Sequence, residues 1–197
     1  MKKRFGWAAM VLLVALSVVD SNVSARAEEQ ISEFDVHVGD PFIFGTSPFR
    51  LGDVSLASTG ESIEVIFTGR IDVVDQGATG MGAFQHRDNS GQVSDFGTFK
   101  AKHLISFTDF GTSPALPPTL HAGKAAILIR GVDHPASNPQ ITSNFEATLV
   151  VDCALPGANV PPGVEEGITF DITDGLNFDE KSPTDHGNTL FVVVAED

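Results

Sequence analysis

Apolar and polar residues alternate along most of this chain with a period of two. In residues 62–73, Ile63, Val65, Phe67, Ile71 and Val73 share one face, while Glu64, Thr68, Arg70 and Asp72 take the other. In 98–107, Phe99, Ala101, His103, Ile105 and Phe107 face one way, with Lys100 and Lys102 opposite. In 144–153, Phe145, Ala147, Leu149, Val151 and Cys153 alternate with Asn144, Glu146, Thr148 and Asp152. Successive side chains of a strand point to opposite faces, so this pattern predicts half-buried strands. Further strands are predicted around 35–44, 53–58, 80–87, 123–130, 167–173 and 188–194, separated by Gly, Pro, Asn and Asp. No long stretch carries helical periodicity. Roughly nine or ten strands predict an all-β fold, a single-domain antiparallel β-sandwich or β-barrel, because either shape buries one face of every strand.

The clearest local pairing is a hairpin. Gly80 to Arg87 runs into the turn-rich tip Asp88-Asn89-Ser90-Gly91, and the chain returns from Phe96. Matching the apolar faces sets Phe84 opposite Phe99, Gly82 opposite Ala101 and Gly80 opposite His103. Gly80 and Gly82 then make room for larger neighbours or for a bend in the sheet. Proline-rich stretches at 111–122 and 154–166 are read as loops, since proline cannot donate to a ladder. Phe-Gly-Thr-Ser-Pro occurs at 44–48 and at 110–114 with unmatched flanks, which reads as a reused turn and not a duplicated fold.

The N-terminus changes the picture from fold to address. Lys2, Lys3 and Arg4 precede an uncharged apolar run from Phe5 to Val19, and Ala25-Arg26-Ala27 follows. That is the layout of a secretory signal peptide over 1–27, with cleavage expected before Glu28 and a single all-β domain at 28–197. The run is about 15 residues, short of the roughly 20 that span a bilayer. The expected location is the periplasm or the extracellular medium. Cys153 is the only cysteine, so neither a lipid anchor after the signal nor an internal disulfide is expected.

The chain has 12 basic and 26 acidic residues. Losing Lys2, Lys3, Arg4, Arg26 and Asp20 with the signal would leave 8 and 25, a formal charge of −17 (8 − 25). Such a surface repels phosphate backbones and anionic lipid, so nucleic-acid partners and a stable membrane anchor are not expected. Fourteen of the 15 phenylalanines lie beyond the signal, Trp7 is lost with it and tyrosine is absent. Sugar-binding faces favour Trp and Tyr, so this composition speaks against one.

Candidate chemistry is sparse. The histidines are His37, His86, His103, His121, His134 and His186, and no two have zinc-site spacing. The hairpin register separates His86 from His103 by about six residues, roughly 20 Å. His103, on an apolar face, reads as a hydrogen-bonded core residue; His86, beside the Asp88 turn, reads as more exposed. His86 and Asp88 are therefore the catalytic candidates. The acidic residues Asp171, Asp174, Asp179, Glu180 and Asp185 are candidate calcium ligands, and Asp174-Gly175 is similar to a calcium loop, although Thr173 and Gly175 interrupt the alternate-ligand pattern. No cofactor is predicted beyond that possible calcium. No Gly-x-Ser-x-Gly elbow or Ser-x-x-Lys occurs, and Cys153 closes an apolar strand face, where cysteine behaves as a small hydrophobe.

Three stretches, 82–91 (GAFQHRDNSG), 97–107 (GTFKAKHLISF) and 175–180 (GLNFDE), together resemble a group of exported bacterial all-β proteins of no assigned function. The 80–107 hairpin also resembles the barrel strands of dirigent and allene oxide cyclase proteins, which implies a barrel and a small apolar substrate; no catalytic residue carries over. The expected function is a non-catalytic binding or interaction module with an unknown protein or small-molecule partner. The alternatives are a small β-barrel enzyme or carrier for an apolar molecule, and a calcium-stabilised structural or adhesive protein.

Overall fold

The computed structural model describes residues 31–39, 52–184 and 187–194. Among them are eleven strands and no helix: β1 (Glu33–Val38), β2 (Asp53–Leu56), β3 (Ser62–Asp72), β4 (Gly77–Arg87), β5 (Val93–Thr112), β6 (Leu120–Pro135), β7 (Ser143–Cys153), β8 (Gly167–Ile172), β9 (Asn177–Phe178), β10 (Glu180–Lys181) and β11 (Thr189–Val193). Nine of these overlap the regions that alternation predicts, β5 and β6 running well beyond them, and the 40–44 part of the first region lies outside the described residues. The two-residue β9 and β10 lie in the acidic segment, where there is no alternation to read.

All ladders are antiparallel. β3 pairs with β4 along its whole length, and with β2 and β1 in succession along its other edge. β6 likewise pairs with β5 on one edge and with β11 and β7 on the other. Tracing β3–β4–β5–β6–β11–β1 returns to β3, so the hydrogen-bonded circuit closes, as in a barrel. Two arms extend beyond that circuit, β2–β10 from β3 and β7–β8–β9 from β6. The Ser55 hydroxyl stitches them together by sharing its one hydrogen between Phe178 O at 2.8 Å and Glu180 O at 2.9 Å.

The inward faces make one continuous core. Phe34, Phe67, Phe99, Phe170, Phe178 and Phe191 are all fully buried in it, with Ile63, Ile127, Ile129 and Leu149. Each such side chain contributes about 1.5–3 kcal/mol on burial. The rings pack on one another, Phe67 on Phe99 with centroids 5.9 Å apart and Phe99 on Phe170 at 5.9 Å. Cys153 is buried at the end of β7, as its place on the alternating face predicts.

Two expectations need correction. The hairpin register is displaced by two residues: Gly82 pairs with Phe99 and Phe84 with Gly97. The tip is tighter than expected, because Asp88 N donates to Gln92 O and the Asp88 carboxylate holds Ser90 and Gln92, so β5 resumes at Val93. The faces stay correct, since a shift of two preserves them. His103 is exposed and is not a core residue. β5 has register shifts between Ala101 and His103, Leu104 and Ser106, and Asp109 and Gly111. Each extra residue moves the inward position along by one, so Ala101, Leu104 and Phe110 are buried while His103 and Ile105 face outward.

Candidate functional site

A pocket of about 180 Å³ opens beside the far halves of β4, β5 and β6. Its walls are Phe84, Phe145, Phe170 and Phe178, with Ile63, Ile172 and Leu176. The register explains the gathering. Ile63, His86 and Asp95 form one row across β3, β4 and β5; Phe84, Gly97 and Asp133 form the next row, across β4, β5 and β6, two residues away on the same face. Gly97 is required here, because a Cβ would stand 2.8 Å from Phe84 Cε1 and 2.0 Å from Val132 O. Phe84 lies over that glycine and meets Phe145 edge-on at 5.3 Å.

The pocket's polar groups are His86, Asp95 and Asp133. His86 Nδ1 lies 3.2 Å from Asp95 Oδ2, and its ring meets Phe178 edge-on at 5.2 Å. His86 Nε2 is buried without a hydrogen-bond partner, and Glu61 Oε1 stands 3.8 Å away. Asp133 is held by hydrogen bonds from Ser143 and from the backbone of His134, yet its Oδ1 is buried with no partner. Burial, and then the charge of Asp95, push the Asp133 carboxyl above its ordinary range. The side chains of His86 and Asp95 keep 20% and 28% exposure, which puts the solvent side of the pocket at this polar group.

Of the two catalytic candidates read from the sequence, His86 lines the pocket and Asp88 does not. Asp88 Oδ1 accepts from Ser90 N at 2.9 Å, Ser90 Oγ at 2.7 Å and Gln92 N at 2.9 Å, so it closes the hairpin tip. These bonds, that of the Ser90 hydroxyl foremost, hold its carboxyl below the usual range. Asp95, Asp133, Glu61 and the phenylalanine walls escaped the sequence reading. Only the correct register sets Asp95 beside His86, and Asp133 comes from a third strand.

The acidic residues read as calcium ligands are dispersed. Asp171 pairs with Asn177 and Thr148 in the ladders flanking β8. Asp174 occupies the β8–β9 turn at φ +58°, where Gly175 N donates to Ile172 O at 3.0 Å. Asp179 and Glu180 are exposed, and Asp185 lies outside the described residues, as does His186. Among the described residues, no group of three or more His, Cys, Asp or Glu gathers as an ion site.

Two further polar groups are buried. His121, in β6, sets Nδ1 3.0 Å from both Asp109 oxygens and packs against the Phe34 ring at 5.5 Å. Asp152, in β7, receives Lys181 Nζ at 2.8 Å and Lys124 Nζ at 3.4 Å on Oδ2, and Lys181 also bonds Glu165 O. The Thr189 hydroxyl joins this cluster by donating to Asp152 O at 2.7 Å, with Glu166 Oε1 at 3.4 Å. Burial, reinforced by Asp53, pushes the Glu166 carboxyl up to about 7. Burial and the neighbouring Glu166 push the Cys153 thiol up to about 12, which keeps it protonated and unreactive.

Comparison with family models, with curated proteins and with solved structures finds no match to this chain.

Proposed function

We propose that this protein is an exported, non-catalytic binding module that takes a compact apolar group into the phenylalanine-lined pocket. The carrying observation is the pocket itself, an apolar recess with hydrogen-bonding groups gathered at one side, which is the usual make-up of a ligand site. Its size limits the occupant. About 180 Å³ falls below the roughly 300 Å³ of sites for drug-sized molecules, and is close to the ~150 Å³ cavity that holds one benzene ring in an engineered lysozyme. A carrier of large apolar molecules is therefore disfavoured, and one ring or one branched side chain fits. The non-catalytic reading draws on the chemistry at hand. The single thiol is buried and protonated, which removes it as a nucleophile.

The test is saturable binding of toluene to the full chain, followed by the rise in Tm and by methyl and aromatic shifts in NMR. Binding only to the native state raises stability with ligand concentration. Leu176→Trp, which adds an indole to the recess from its apolar wall, should abolish both effects. Toluene shifts that persist unchanged in that variant would place the apolar site elsewhere and defeat the reading.

A further inference from the structure

The apolar walls limit the size of the occupant, and the polar side of the pocket identifies its charge. Asp95 at 3.2 Å and Glu61 at 3.8 Å flank the two nitrogens of the His86 ring, Asp133 stands near enough to Asp95 to feel its charge, and no Lys or Arg lines the pocket. Asp95 as a carboxylate can only accept, so the Nδ1 proton of His86 is the one in their 3.2 Å contact. Asp133 Oδ1 is buried and without a hydrogen-bond partner. Buried acceptors left unpaired are costly, and buried carboxylates near one another are costlier still. Both costs are relieved by a cation that donates several hydrogen bonds.

We propose that the ligand is a compact apolar monocation, about one ring in size and bearing a primary ammonium, with the ring against Phe84, Phe145 and Phe178 and the ammonium on the side of Asp95 and Asp133. This deepens the binding-module reading and rests on it. A primary ammonium has three donors and no acceptor, which suits a pocket side where Asp95 and Asp133 stand with no basic side chain. A hydroxyl offers one donor and leaves acceptors unpaired. A carboxylate offers none and adds repulsion.

Four probes of equal ring size separate the possibilities: benzylammonium, benzyl alcohol, benzoate and toluene, titrated calorimetrically into the full chain at neutral pH. Benzylammonium should bind at least tenfold more tightly than benzyl alcohol, and benzoate should not bind. Asp133→Asn should weaken benzylammonium about tenfold and leave benzyl alcohol within twofold. The wild-type series stands by itself should that variant fold poorly. If toluene and benzyl alcohol bind as tightly as benzylammonium, the charge assignment is overturned and the apolar pocket survives. If none of the four binds, both fall. A peptide beginning with Phe carries the same ring and ammonium on a chain end. Its binding beside benzylammonium assigns the group to a polypeptide terminus, its failure assigns it to a free amine, and both results sustain the charge assignment.

Discussion

Gly82 lies directly under Phe99, and a single methyl group there would collide with the middle of the core. A Cβ on Gly82 would stand 2.1 Å from Phe99 Cζ and 2.7 Å from Ile66 O. The ring is fully buried and stacked on Phe67, so it has little freedom to retreat. Gly82→Ala should therefore cost about 1–3 kcal/mol in denaturant unfolding, the range for overpacking. Gly77→Ala is the contrasting case, since its Cβ would meet Asp72 Cβ at 3.4 Å, an ordinary contact, and its cost should stay within about 0.5 kcal/mol. That Gly82 makes room for a larger neighbour was legible in the sequence. Which neighbour was not, because two residues of tip length hinge on how Asp88 bonds Ser90 and Gln92.

At the scale of the element, β5 shows how far alternation can be trusted. Its first half follows the period of two through Gly97, Phe99 and Ala101. Beyond that point the ladder skips Lys102, Ile105 and Phe110, and the inward set continues as Leu104, Phe107 and Phe110. The skipped residues are a cation, an aliphatic and an aromatic; Gly111, at φ +83°, marks the third shift, while the first two have no glycine or proline beside them and so carry no local signal in the sequence. A 20-residue strand must bend to stay on a closed circuit, and the bulges supply that bend. The observed facing has a direct consequence: Leu104→Ala should cost about 2–5 kcal/mol, while His103→Ala should stay within about 0.5 kcal/mol. Strict alternation predicts the opposite order, so paired unfolding curves decide between the two. The same bookkeeping of faces explains the pocket. His86 was visible as a histidine near a turn, whereas its partners required a register across three ladders.

For the whole molecule, charge and closure matter most. Glu166 has its carboxyl at about 7 in the folded chain against 4.5 for the ordinary group. The folded state therefore holds this proton more tightly, and its contribution to stability is lost as pH rises from 4.5 through 7, about 1–2 kcal/mol across the window once solvent screening of this partly exposed side chain is counted. Glu166→Gln should flatten that slope, read as the difference between wild-type and variant Tm at pH 5 and pH 8. Taking the difference cancels the general repulsion of a chain with formal charge −14. The all-β class and nine strand regions could be read from the sequence, because each reports its own buried face. Closure could not, because it depends on pairings such as Phe34 with Val193 and Phe191 with His121, between residues that share no local pattern. The circuit is completed only when β11 slots between β1 and β6, and those strands meet across nearly the whole described chain. Loop closure of that length is slow to be rewarded. Until β11 arrives, β1 presents a bare edge where another chain can add a strand, while β6 lacks a partner there only at Leu120 and His121, so the interval before closure is when this protein is most exposed to aggregation.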